Sequence, residues 1–222
     1  MDKEEIALIR RIRYGQIDAK ELTALYYDHA GNYRIQFNLL QHPSFSERLA
    51  LNVIPRLYTI DLIRLVKNPR TNPFIRKRAE MEFVNKYPRY PLGEKLGYMR
   101  IAPLTLLNHF IAERDKRILE VMLQNPQCTE TLLMKMINRE DHNDAKAALY
   151  EILVESDWLK RRTIAEAVSY DIDAPIRALL LVLPYLSLEN LDRLFSSDQT
   201  HRAVKNGITE YLNKRVKGQG RL

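Results

Sequence analysis

Nowhere does this chain keep the strict apolar/polar alternation of a half-buried strand. Its apolar residues come instead in helix-forming stretches rich in Leu, Ile, Ala, Glu, Lys and Arg, with glycine scarce. Short breaks rich in Asn, Asp, His or Pro interrupt these stretches, at Gln41-His42-Pro43, Lys67-Asn68-Pro69, Arg114-Asp115, Arg139-Glu140-Asp141, Tyr170-Asp171 and Ser196-Ser197-Asp198. The pattern predicts an all-α protein in which a first helix ends at each break and a second helix begins a few residues later with an apolar-basic pair.

Successive breaks lie about 26, 46, 26, 30 and 27 residues apart, and the chain matches itself in step with them. Pro55-Arg56-Leu57-Tyr58-Thr59-Ile60-Asp61-Leu62-Ile63-Arg64-Leu65 overlays Pro184-Tyr185-Leu186-Ser187-Leu188-Glu189-Asn190-Leu191-Asp192-Arg193-Leu194 without a gap. The same 129-residue offset brings Thr71 onto Thr200, Ile75 onto Val204, Arg76 onto Lys205 and Phe83 onto Leu212. One interval is stretched. Tyr87-Pro88-Arg89-Tyr90-Pro91-Leu92-Gly93 carries two Pro and a Gly, so residues 86–102 read as an inserted loop.

Asn72-Pro73-Phe74-Ile75-Arg76-Lys77-Arg78-Ala79 and Asp173-Ala174-Pro175-Ile176-Arg177-Ala178 resemble the Pro-x-Val-Arg-x-x-Ala core of HEAT-like repeats. The Asn-Pro breaks at Asn68-Pro69 and Asn125-Pro126 resemble those of bacterial leucine-rich-repeat-variant solenoids. The resemblance implies an α-α superhelix of about six helix pairs over residues 33–215, each pair burying its apolar faces against its neighbours. Residues 1–32, with helical patterns at Glu4 to Arg13 and Ala19 to His29, read as an N-terminal helical cap, and residues 216–222 as a basic flexible tail. Such motifs carry a fold better than a function.

The chain has 222 residues, 45% of them hydrophobic, enough for a self-sufficient core. Its longest strictly apolar run, Ala178 to Leu183, is far short of a bilayer span, and Met1-Asp2-Lys3-Glu4-Glu5 is too acidic to open a signal peptide, so no membrane insertion and a cytoplasmic location are expected. The lone Cys128 closes no disulfide within the chain. A formal charge of +7 keeps acidic partners open.

Catalytic and cofactor chemistry finds little purchase. The seven Gly are scattered, so there is no phosphate-cradling loop, and His29, His42, His109, His142 and His201 lie far apart without metal-ligand spacing; no metal or cofactor is expected. Cys128 precedes a helix entrance at Thr129-Glu130, where a thiol can be activated, but no partner base is assignable and the favoured role is a small gap-filling side chain. Asp157-Trp158 matches the residue types with which some HEAT-like DNA glycosylases handle damaged bases. A helix start at Asp157 with Trp158 packed beside it accounts for both more simply. No catalytic residue is assigned.

Binding chemistry is richer. Arg48, Arg76, Arg117, Lys146, Arg177 and Lys205 each fall early in the second helix of a pair, so stacking predicts a ladder that serves either as a basic groove or as bonds to acidic or carbonyl groups of the adjoining pair. Asp173 and Asp198 precede their basic positions and favour the structural role. In the inserted loop, Tyr87, Arg89 and Tyr90 offer aromatic and guanidinium anchors. The expected function is a non-enzymatic adaptor that binds a protein partner through its concave face and inserted loop. The alternative is a nucleic-acid-binding module, related to base repair, that uses the basic groove. Oligomeric state is not legible.

Overall fold

The computed structural model describes residues 3–139 and 144–219, and among them every regular element is helical. By its internal contacts the chain divides into two compact units, residues 1–109 and 110–222, a division that falls inside the expected 33–215 repeat domain. The first unit holds α1 (Lys3–Tyr14), α2 (Ala19–Asp28), α3 (Tyr33–Leu40), α4 (Glu47–Val53), α5 (Thr59–Lys67), α6 (Pro73–Lys86), α7 (Leu92–Ile101) and α8 (Leu104–Leu107). The second holds α9 (Lys116–Gln124), α10 (Glu130–Ile137), α11 (Asp144–Leu153), α12 (Arg162–Tyr170), α13 (Ile176–Val182), α14 (Leu188–Ser196) and α15 (Arg202–Gln219). None of the described helices is long and apolar enough to cross a membrane.

Caps written into the sequence place the helix starts. Asp18, Asn32, Ser46, Asn72, Asp115, Thr129 and Ser187 each accept a first-turn backbone N–H from their side chain, ahead of α2, α3, α4, α6, α9, α10 and α14. Pro73 occupies the first position of α6, where a missing N–H is harmless. Most of these helices run only seven to ten residues, too short to persist alone, so packing holds them. In the first unit α4 packs on α6 and α5 on α6, while α1 and α2 both pack on α3. In the second, first helices α10, α12 and α14 adjoin in series, and α9 meets α11 as α13 meets α15. Gly207 of α15 faces α13 so closely that a Cβ there would lie 2.5 Å from Leu180 Cδ2.

The 129-residue self-match recurs as structure. At that offset α4 coincides at both ends with α13, α5 with α14, and the 3-10 turn Ile54–Arg56 with Leu183–Tyr185; α3 and α12 start together, as do α6 and α15. The buried register agrees as well: Ile35 and Ile164, Val53 and Val182, Leu62 and Leu191, Leu65 and Leu194, and Ile75 and Val204 are all core residues. Fully burying such side chains is worth about 1.5–3 kcal/mol each, so an apolar register kept at both copies keeps the same packing solution.

Two expectations are corrected. Residues 86–102 are not a loop: Tyr87–Arg89 is a 3-10 turn and Leu92–Ile101 is α7, with Met99 fully buried. Pro88 lies in the first turn of the former and Pro91 at the N-cap of the latter, the places where Pro starts a helix instead of breaking one. The expected flexible tail at 216–222 is also displaced, because α15 continues through Gln219; residues 220–222 lie outside the described residues.

Candidate functional site

All six basic residues fall within the first four positions of a second helix, Arg48 on α4, Arg76 on α6, Arg117 on α9, Lys146 on α11, Arg177 on α13 and Lys205 on α15. Their surroundings differ sharply. Arg48 is exposed, Lys205 half-buried, and Arg76 keeps a buried Nε with no partner among the described residues. Arg117 turns back on its own N-cap, donating from Nε and Nη2 to Asp115 at 3.0 and 2.7 Å. Arg177 Nη2 reaches Glu155, just beyond the preceding second helix, at 2.6 Å with both side chains exposed.

Lys146 is the buried member. Only 5% exposed, it sets Nζ 2.6 Å from Asp171 Oδ1 and 3.1 Å from Asp173 Oδ2, and Tyr150, one turn further along α11, donates its hydroxyl to Asp171 Oδ2 at 2.5 Å. Burial alone would lower the Lys146 pKa; the two carboxylates outweigh it and hold the ammonium above its ordinary value. Burial first, and then the Asp171 bond, push the Tyr150 phenol up as well. Both shifts hold Lys146 and Tyr150 in their protonated forms at neutrality, where they serve to orient the carboxylates.

Around this cluster lies an open cleft of about 460 Å³ between α11 and the start of α13. Ala147, Tyr150, Val154 and Pro175 give it apolar walls, and Arg177 stands at its edge. Its charges are answered at close range: Lys146 as above, Arg177 by Glu155, and Glu151 by Lys116 at 2.6 Å. What it offers a ligand is a polar-rimmed apolar trough.

The three anchors read from residues 87–90 are not equally available. Tyr87 is 5% exposed, with Lys95 Nζ 5.0 Å above its ring. Tyr90 is half-buried, its hydroxyl 2.5 Å from Thr59 Oγ1 and its ring against Tyr98. Only Arg89 is exposed. The sequence cannot show this, because Thr59 lies on a different helix, 31 residues away.

Cys128 is half-buried and desolvation pushes its thiol up to about 11, the opposite of nucleophile activation. At Asp157-Trp158 the helix start belongs to Ser156, which caps a 3-10 turn over Asp157–Lys160; the long helix α12 begins only at Arg162. Trp158 is half-buried, donates Nε1 to the Leu123 carbonyl at 3.3 Å and carries the Arg161 guanidinium 4.1 Å over its ring. Asp157 pairs with Lys160 at 2.5 Å on the surface. Of the histidines, His109 sits 2.5 Å from Glu80 Oε1, while His142 lies outside the described residues, as do Glu140 and Asp141 of the Arg139-Glu140-Asp141 break.

No protein-family model, no curated protein and no solved structure matches this chain.

Proposed function

We propose that the chain is a non-enzymatic helical-repeat adaptor, a HEAT-like α-solenoid whose second helices present a concave face to a segment of a protein partner. The recurrence of α3 to α6 as α12 to α15, with one buried register, supports the repeat reading. The observation that carries the function is the trough beside Lys146: apolar walls with charges already satisfied inside the fold suit an extended or helical peptide, which brings side chains to bury and needs no counter-charge. The same pairing weakens the nucleic-acid reading of the ladder, since Arg117, Lys146 and Arg177 already face carboxylates.

The test places a photo-cross-linking benzoylphenylalanine at Val154 and irradiates the protein in its native cells. A discrete polypeptide adduct, absent when the same group replaces exposed Tyr185, is expected. No adduct, or one containing nucleic acid alone, would sink the adaptor reading.

A further inference from the structure

The first unit carries a second kind of surface, on the side formed by α1, α3 and α5. Two clefts of about 530 and 230 Å³ open there and share Arg13 and Asn38 as a common wall. Four arginines line them, Arg13, Arg34, Arg64 and Arg70, against a single carboxylate among the described lining residues, Asp61. That carboxylate is buried and engaged, accepting from the Tyr33 hydroxyl at 2.7 Å and from Arg64 at 2.8 Å. Arg13 is held by a 2.6 Å bond from Nε to Asn38 Oδ1, which leaves its terminal nitrogens without a partner among the described residues. Unlike the trough of the second unit, this groove keeps uncompensated positive charge.

Aromatic faces alternate with that charge. Tyr14 and Tyr58 are 72% and 68% exposed, large apolar rings left in water at the two ends of the groove. Tyr58 rests on Tyr33 with ring centroids 4.8 Å apart, and the Tyr33 hydroxyl accepts its backbone N–H at 3.0 Å, so the exposed ring is held in place. Nor does the repeat require these residues. At the 129-residue offset the core positions are kept, whereas Arg34, Tyr58 and Arg70 become Thr163, Ser187 and Gln199. Of the four groove arginines and the two exposed tyrosines only Arg64 recurs at that offset, as Arg193, so most of the groove chemistry is separable from the packing that both copies share.

We infer that this groove binds single-stranded nucleic acid without strong sequence preference, its arginines on backbone phosphates and Tyr14 and Tyr58 stacking bases. Guanidinium groups answer phosphates at fixed geometry, and every base presents a π-face to a tyrosine. A purely acidic chain such as poly-glutamate would use the arginines but bring no flat face to the exposed rings; a duplex would hide its bases from them. The surface is separate from the trough beside Lys146, so each can fail alone.

Fluorescence anisotropy of the full chain with a labelled oligouridylate of about twelve nucleotides tests it, beside a duplex of equal length and a poly-glutamate peptide, from about 50 to 300 mM salt. The parent should bind the single strand in preference to both other probes. Arg34→Glu/Arg70→Glu, both on the surface, should weaken binding at least about tenfold and flatten the log–log salt slope by about 1.4, about 0.7 per lost phosphate contact. Tyr14→Ala/Tyr58→Ala should weaken it at least about thirtyfold with the slope unchanged. Arg48→Glu, on a second helix, should bind like the parent. Circular dichroism melts confirm each variant folded, and Arg34→Gln/Arg70→Gln replaces the charge reversal if that variant unfolds. The inference is overturned if the single strand is not bound at the lowest salt, if duplex or poly-glutamate binds as tightly, or if Arg48→Glu weakens binding as much as the groove variants.

Discussion

Lys146 and Asp171 meet at 2.6 Å in the interior, one from α11 and the other from the turn after α12, and the Tyr150 hydroxyl closes on the second carboxylate oxygen. The ammonium is thus a tie between consecutive helix pairs. Removing one partner of a buried ion pair strands the other charge, which generally costs more than the pair contributes. Lys146→Met should therefore destabilise the fold by about 3 kcal/mol. Urea melts check this, and Lys146→Met/Asp171→Asn should recover part of the loss. A Lys146→Met loss below about 0.5 kcal/mol would show that the tie carries nothing.

Arg177 and Arg193 separate two kinds of arginine. Arg177 meets Glu155 in solvent, so Arg177→Ala should cost at most about 0.5 kcal/mol. Arg193 lies 3.7 Å from the centroid of Tyr170 and donates to the Ser169 carbonyl and hydroxyl at 2.8 and 3.0 Å; its loss should cost about 2 kcal/mol. Thermal midpoints of the two variants decide it, and equal shifts would refute the distinction.

Glu80 supplies an acid-sensitive link in the first unit. Burial alone would raise its pKa, but the bonds from His109 and Lys77, at 2.5 and 2.6 Å, outweigh burial and hold the carboxyl below its ordinary 4.5. The unfolded chain then takes up the proton first, so this stability is full above pH 4.5 and is lost as pH falls through the folded value. Melts from about pH 6 to 3 should show a shallower acid decline for Glu80→Gln than for the parent. Parallel declines would exclude Glu80 as the source.

Cys128 should react sluggishly. With its thiol held near 11, the thiolate fraction at about pH 8 is small, and the disulfide reagent dithionitrobenzoate should label it at least about tenfold more slowly than free cysteine until urea unfolds the chain. Labelling as fast as free cysteine would contradict the packing role.

Helical periodicity and the self-match of Pro55 to Leu65 made the helices and their recurrence legible, because both follow from local spacing. The 86–102 stretch reads as a loop in sequence because Pro signals a break and a helix start alike, and only the buried side of α7, at Met99, tells them apart. The ladder was legible as positions, not as chemistry. Asp173, which precedes Arg177 in sequence, accepts from Lys146 27 residues away, and Arg177 reaches back 22 residues to Glu155. The groove of the first unit has no signature in the sequence because Arg13, Arg34, Tyr58 and Arg70 come from separate elements and converge only in the folded unit.

Two copies of one helix block, kept in the same register, pose a problem for a folding chain. An unfolded α5 finds in α15 an apolar face of the same register as that of α6, so side-chain complementarity alone does not name its mate. Proximity does. Closing the five residues between α5 and α6, rather than about 130, saves about 3 kcal/mol of chain entropy. The tight connections at Asn68–Asn72 and Ser197–His201 therefore act as address labels, and lengthening either with flexible residues would trade fast, faithful pairing for kinetic competition between the copies.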